Sequence, residues 1–296
     1  MNRFYRAIAE DEVAAFERDG VLCLRGVIDA DWRGRLGGAI ERDMREPGEF
    51  THGYESSSGR FHGTSRKWQT DADVRDYVFD SPLPEIAAAL LRSRKVNLLY
   101  DQMFVKEPGT DAPTPWHNDH VVWPLHGKQV VSFWLALDPV TADSGRVEYV
   151  RGSHLWDKKY QPRSFAKSRL SYPILDGLEE FPDVNADRAA YDIVTWDLAP
   201  GDVVAFTSRT LHGAAGNART DRRRRGYTIR YTGDDITYLP SELTVPVTLN
   251  PDLAPGDPLD SELFPVVWRD GARVPFQAGA YRRKPEMSAA TPPALR

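Results

Sequence analysis

Between residues 95 and 232 the chain is a succession of short runs rich in β-branched and aromatic residues, cut by turn signals. The runs cover residues 96–106, 116–122, 129–137, 145–150, 193–198, 202–208 and 227–232. Pro108-Gly109, Gly152-Ser153 and Pro200-Gly201-Asp202 punctuate them. Many short strands with Gly/Pro breaks favour an antiparallel sandwich or barrel over a parallel sheet. Ahead of them, residues 8–19 read as a helix, with Val13 and Phe16 on one face and Gly20 suited to its end. A strand over 21–27 follows. A second helix spans 31–45, where Trp32, Leu36, Ile40 and Met44 recur on one face and Asp29 or Asp31 caps it. Helical pieces are expected near 71–79 and 83–92. Residues 46–70 read as a Gly/Ser-rich loop and residues 151–192 as a long irregular insertion, both candidate lids. The proline-rich tail beyond Asp234 keeps Leu243, Phe264, Val266, Val267 and Trp268, so it should pack as an extended segment, with about the last ten residues fraying.

Composition then removes whole classes of function. The 296 residues carry 43 acidic and 38 basic side chains, a net charge of −5, which gives no pull toward nucleic acid or an anionic membrane. A single cysteine, Cys23, excludes an internal disulfide, a Cys₄ zinc site and an iron–sulfur cluster. Any metal must therefore be held by His and carboxylate. The longest unbroken apolar run, residues 86–91, is far below the roughly 20 residues of a membrane span. The N-terminus, MNRFYRAIAEDE, lacks the apolar core of a secretion signal. These features suggest a cytoplasmic protein acting on a small molecule. One domain is expected over 1–296: helical support to residue 94, a β core over about 95–235 and an extended segment from 236.

The chemistry concentrates at Pro115-Trp116-His117-Asn118-Asp119. In a strand, side chains i and i+2 share a face, so His117 and Asp119 would project together and could chelate one cation. His212, which follows an apolar strand and precedes Gly213, is the best third ligand. Two histidines and a carboxylate make the facial triad of non-haem Fe(II) oxygenases, with positions left open on the metal. The run Arg222-Arg223-Arg224-Arg225 then leads into a strand, and one guanidinium at its entry could grip a dicarboxylate end-on. The other three arginines read as a solvated turn. His120 should face away from the metal, His126 sits in a turn, and Gly152-Ser153-His154 reads as a structural turn. His52 and His62 flank the first lid and could touch substrate, and Cys23 reads as a small buried hydrophobe.

Over nearly its whole length the chain resembles the phytanoyl-CoA dioxygenase family of Fe(II)/2-oxoglutarate oxygenases. The resemblance runs through AFERDGVLCLRGVI, YDQMFVKEPGTDAPTPWHNDH, VSFWLALDPVTADSGRVEYVRGSH, PGDVVAFTSRTLHGAAGN, RRRRGYTIRYTGDD and DSELFPVVWRDG. It implies a mainly β fold with flanking helices, the double-stranded β-helix or cupin-like jelly-roll barrel. It implies Fe(II), 2-oxoglutarate and O₂ as cofactor and co-substrates, with His117, Asp119 and His212 on the iron. It places an arginine on the far carboxylate of 2-oxoglutarate: Arg223 by counting from His212, or Arg224 by matching the strand start, where Gly226 comes two residues later. Arg224 is preferred. Trp123 matches an aromatic that flanks the co-substrate in related ectoine hydroxylases. A serine commonly found two residues after the second histidine is Ala214 here, so Gln102, Lys106 or Thr228 would supply the missing donor.

The resemblance implies hydroxylation of an unactivated C–H with release of succinate and CO₂. Asp119 separates this chain from related halogenases, which lack the carboxylate. Desaturation, ring closure and epimerisation share the same cofactors. A cupin-type metal enzyme without 2-oxoglutarate and a jelly-roll binding protein without turnover are the rival readings. The two lids carry Arg60, Arg66, Lys67, Lys158, Lys159, Arg163, Lys167 and Arg169, a bias that suits an anionic substrate or simply a solvated surface.

Overall fold

Each of the four helices begins where local chemistry satisfies its first N–H groups, in the computed structural model that describes residues 7–54, 56–164, 172–249 and 251–279. In α1 (Glu10–Asp19) the Glu12 carboxylate accepts from the Ala9 N–H, and Gly20, at φ 72°, ends the helix in the left-handed region. Asp29 caps α2 (Ala30–Arg45) by accepting from the Trp32 N–H. Asp71 caps α3 (Ala72–Asp80) through the N–H groups of Asp73 and Val74. The fourth, α4 (Leu83–Leu90), starts with proline in its first turn.

The strands are β1 (Val21–Leu24), β2 (Thr51–Gly53), β3 (Phe61–Ser65), β4 (Lys95–Lys106), β5 (Thr114–His117), β6 (Leu125–His126), β7 (Val130–Ala136) and β8 (Val147–Val150). They continue as β9 (Ile193–Thr195), β10 (Val203–Thr207), β11 (His212–Ala214), β12 (Arg224–Thr232), β13 (Thr237–Tyr238), β14 (Val266–Arg269) and β15 (Ala272–Arg273). All named pairings are antiparallel. The larger sheet runs β1-β10-β7-β12-β4-β14-β15, with the β2–β3 hairpin added along β4. The smaller sheet runs β5-β11-β8-β9. This is the jelly-roll fold that the succession of short strands points to.

Strand alternation on β12 divides the molecule. Tyr227, Ile229 and Tyr231 face the helices, where they join Phe16, Trp32, Leu36 and Phe133 in the main core. Arg224, Thr228 and Arg230 point the other way and line a cavity that the smaller sheet also walls. The helices thus hold one face of the large sheet and leave the opposite face free for chemistry.

Several expectations are corrected. Residues 46–70 form no irregular loop: they hold β2, β3 and a 3₁₀ turn at Lys67–Gln69, because β3 finds a partner in the edge of β4. The run expected over 116–122 stops at His117, and the chain turns into a 3₁₀ helix at His120–Val122. His126 lies in a short strand paired with β13 rather than in a turn. The first strand ends at Leu24, and the strand over 227–232 begins earlier, at Arg224. The C-terminal segment packs as expected, with Leu243, Phe264, Val266 and Val267 buried. The expected fraying of the last residues, and Lys167 and Arg169 of the second lid, lie outside the described residues.

Candidate active site

His117 and His212 meet because β5 and β11 are neighbours and these two residues are direct cross-strand partners. Their ring centroids are 4.2 Å apart. Each Nδ1 faces a backbone carbonyl, Pro115 O at 2.8 Å from His117 and Thr210 O at 3.0 Å from His212. A carbonyl only accepts, so each Nδ1 carries a proton, and Nε2 is the ring atom that each histidine can turn to a metal. Asp119 reaches the same point by a different route from strand alternation. With φ −86° and ψ −21° it has left the strand, and its N–H donates to Ser208 O at 3.0 Å, which folds the carboxylate back over β5. Asp119 Oδ1 then lies 3.4 Å from His117 Nε2. One ligand atom from each of His117, Asp119 and His212 falls within 4.8 Å of the others. Two imidazoles and a carboxylate on one side of a cavity suit a divalent iron with open positions.

Protonation supports that use. Burial lowers the His212 imidazole to about 4, aided by the His117 ring, while Asp119 opposes the change. Burial alone would raise the Asp119 carboxyl, but the His117 contact and the Arg230 charge outweigh it and hold it well below the usual carboxylate range.

The cavity encloses about 220 Å³. Phe61, Phe104, Val122, Phe181 and Val245 give it apolar walls. Polar groups gather at one place: His52 Nε2 lies 2.9 Å from Tyr54 OH, and the Gln102 amide lies 3.3 Å from that same nitrogen. Arg224 enters from the large sheet, buried, its guanidinium 5.2 Å from the Trp134 ring and its Nε without a hydrogen-bond partner. Burial lowers it to about 10. The hydroxyl of Thr228, on the same strand face, is also buried without a partner. A buried guanidinium and an idle hydroxyl form a receptor for a carboxylate.

Not every expected residue reaches the cavity. Arg224, Gln102 and Thr228 line it; Arg223, Trp123 and Lys106 do not. Arg223 lies just before β12 and pairs on the surface with Glu41 and Glu107. Trp123 is buried behind the wall, donating through Nε1 to Tyr100 OH at 3.1 Å. Lys106 is fully buried and donates to Ala215 O at 2.5 Å; burial, with Arg224 beside it, pulls its ammonium well below its ordinary value. His62 serves structure, held at 2.9 Å by Asp43, which Lys67 also contacts at 3.1 Å. His120 contacts Ser208 Oγ at 3.0 Å and stands outside the triad. Ser153 bridges Val150 O and the Leu211 N–H, a structural role for its turn. The lid cations Lys67, Lys158 and Arg163 are engaged by acids, although Arg163 also reaches the cavity. Cys23 is half-buried, its thiol pushed up to about 11 by burial.

Sequence reasoning missed Arg230, Tyr54, Tyr100 and Tyr149, all of which line the cavity. Extending the β12 phase from Arg224 would have found Arg230, six residues along the same face.

A jelly roll with two histidines, a carboxylate and a buried arginine around one cavity defines the architecture of a non-haem iron oxygenase. Residues 16–226 match the profile of the phytanoyl-CoA dioxygenase family, and the chain belongs to that family of iron- and 2-oxoglutarate-dependent oxygenases. The multifunctional dioxygenase prhA of Penicillium brasilianum is 24% identical over 265 residues, covering 84% of this chain and 81% of that protein. The dioxygenase lolE1 of Epichloe uncinata is 28% identical over 182 residues, covering 60% and 63% of the two chains. Among solved structures, the α-ketoglutarate-dependent carbocyclase SnoK from nogalamycin biosynthesis superposes with a TM-score of 0.69 at 24% identity, over 88% of this chain and 96% of its own. EctD of S. alaskensis, solved with 2-oxoglutarate and 5-hydroxyectoine, gives 0.65 at 20% identity over 85% of each chain. No helix among the described residues is long and apolar enough to cross a membrane.

Proposed function

We propose that this chain hydroxylates an unactivated C–H bond of a small, largely apolar molecule, with 2-oxoglutarate converted to succinate and CO₂. The observation that carries the reading is the meeting, in one cavity, of the His117–Asp119–His212 cluster with the buried guanidinium of Arg224. Bound iron would supply the activation of O₂. His117 and His212 would hold it through Nε2, each ring fixed by its own carbonyl. Asp119 would hold it through one oxygen. Arg224 would receive the far carboxylate of 2-oxoglutarate, with Thr228 as a further donor and Gln102 within the same wall. In place of the serine expected at position 214, the Thr228 hydroxyl is the idle buried donor on the strand that carries Arg224. Phe61, Phe104 and Phe181 would exclude water and press the substrate toward the metal.

Ring closure and epimerisation are the second reading, favoured by the similarity to SnoK and to the epimerase SnoN. One assay separates the outcomes. The Fe(II)-loaded protein is incubated in air with 2-oxoglutarate and a panel of acyl-CoA thioesters, amino-acid derivatives and polycyclic natural products. Succinate release with a product heavier by one oxygen supports hydroxylation. A product lighter by two hydrogens, or unchanged in mass, moves the assignment to ring closure or desaturation, or to epimerisation.

A further inference from the structure

Arg230 is a buried cation that the reaction outlined above does not use. It projects from β12 into the cavity, 4% exposed, with its guanidinium 4.4 Å from the Tyr100 ring and 5.7 Å from the Trp123 ring. The Trp123 Nε1–H donates to Tyr100 OH, which fixes those two rings edge to face beside it. Its Nε and Nη1 are buried and have no hydrogen-bond partner. The carboxylate paired with it, Asp119 Oδ2, stands 3.9 Å from Nε, beyond hydrogen-bond reach, and Asp119 belongs to the metal cluster.

A charge count states the problem. Iron(II) and Asp119 together leave one positive charge. The two carboxylates of 2-oxoglutarate cancel that charge and the charge of Arg224. Arg230 is left over, in a cavity with apolar walls, and a buried charge without a counter-ion is strongly disfavoured. Arg163, the other arginine lining the cavity, already has Glu180.

We infer that Arg230 is the recognition site for a single negative charge on the primary substrate, so that the substrate is a monoanion, a carboxylate being the simplest, with an apolar body. A carboxylate in the cavity would set a counter-charge against this guanidinium, whose Nε and Nη1 have no acceptor, and the Tyr100 and Trp123 rings hold it in one orientation. This rests on the iron and 2-oxoglutarate assignment, and the test reads the two separately.

Protein is first loaded anaerobically with Fe(II) and saturating 2-oxoglutarate, and the visible absorption of the chelate is recorded. Matched probes are then titrated by calorimetry: hexanoate against hexanamide, cyclohexanecarboxylate against its amide, and 4-phenylbutyrate against its amide. At least one acid should bind about ten-fold or more tightly than its amide, the worth of a buried charge-assisted hydrogen bond. Arg230→Gln should erase that preference and Arg230→Lys should keep part of it, both with the chelate absorption intact. If acid and amide bind alike across the panel in the wild-type protein, or if the preference survives Arg230→Gln, the inference is overturned and Arg230 serves Asp119 alone. Should Arg230→Gln fail to fold, the acid–amide comparison in the wild-type protein decides by itself. Absence of the chelate absorption before any probe is added contradicts the cofactor assignment instead.

Discussion

Arg224 and Arg223 are adjacent in sequence, but β12 begins at Arg224, which turns into the cavity, while Arg223 stays outside the strand. One is buried in the cavity, and the other bridges Glu41 and Glu107 on the surface. Arg224→Gln should therefore weaken 2-oxoglutarate binding by about 1.5–3 kcal/mol, roughly ten- to a hundred-fold. Arg223→Gln should leave it nearly unchanged. Titration of 2-oxoglutarate into the anaerobic Fe(II) protein checks both. Asp101 offers a second residue-level test. It sits on the helix side of β4, where burial raises its carboxyl from 3.8 to about 7, against a backbone N–H contact from Trp68. The folded state then holds a proton that the unfolded chain has released, so Asp101 stabilises less as pH rises from about 4 to about 7. Asp101→Asn should be more stable than wild type at pH 8, and that advantage should shrink to nothing near pH 4 in paired urea melts. The His117–Asp119–His212 cluster was legible because it sits in short motifs. Arg230 and Asp101 were not, since their importance comes from the burial of a charged group, which a sequence does not display.

Strands whose side chains alternate between core and cavity, such as β4, β7 and β12, were legible as β-rich runs. Those made by pairing alone were not: β2, β3 and the three-residue β11 lack an apolar period, and they exist because β4, β5 and β8 supply open edges. The turn at Asp119 was hidden for a similar reason, its geometry being set by Ser208 O on a distant loop. Within β12, Gly226 faces inward between Arg224 and Thr228. A Cβ there would meet Trp134 Cζ2 at 2.4 Å, on a rigid ring that also lies against Arg224. Gly226→Ala should cost about 1–3 kcal/mol through overpacking. A fall in the urea midpoint at constant slope would show it. Weaker 2-oxoglutarate binding should accompany the loss, because displacing Trp134 moves the shelf beneath the guanidinium.

At the scale of the molecule, the helices brace the outer face of the large sheet and the smaller sheet closes over its inner face, leaving one cavity that holds both the His117–Asp119–His212 cluster and Arg224. That division was readable in outline from helical periodicity followed by short β runs. The substrate was not, because the walls that select it come from segments distant in sequence, such as Phe61, Phe104, Phe181 and Val245. The central claim is that His117, Asp119 and His212 bind iron(II) to which 2-oxoglutarate adds. It is tested most directly by mixing the protein anaerobically with Fe(II) and 2-oxoglutarate and recording the visible spectrum. The wild-type protein should develop the weak charge-transfer band of the chelate, and His117→Ala, folded by circular dichroism, should not. A wild-type protein that gives no band, or a His117→Ala variant that keeps it, would contradict the account.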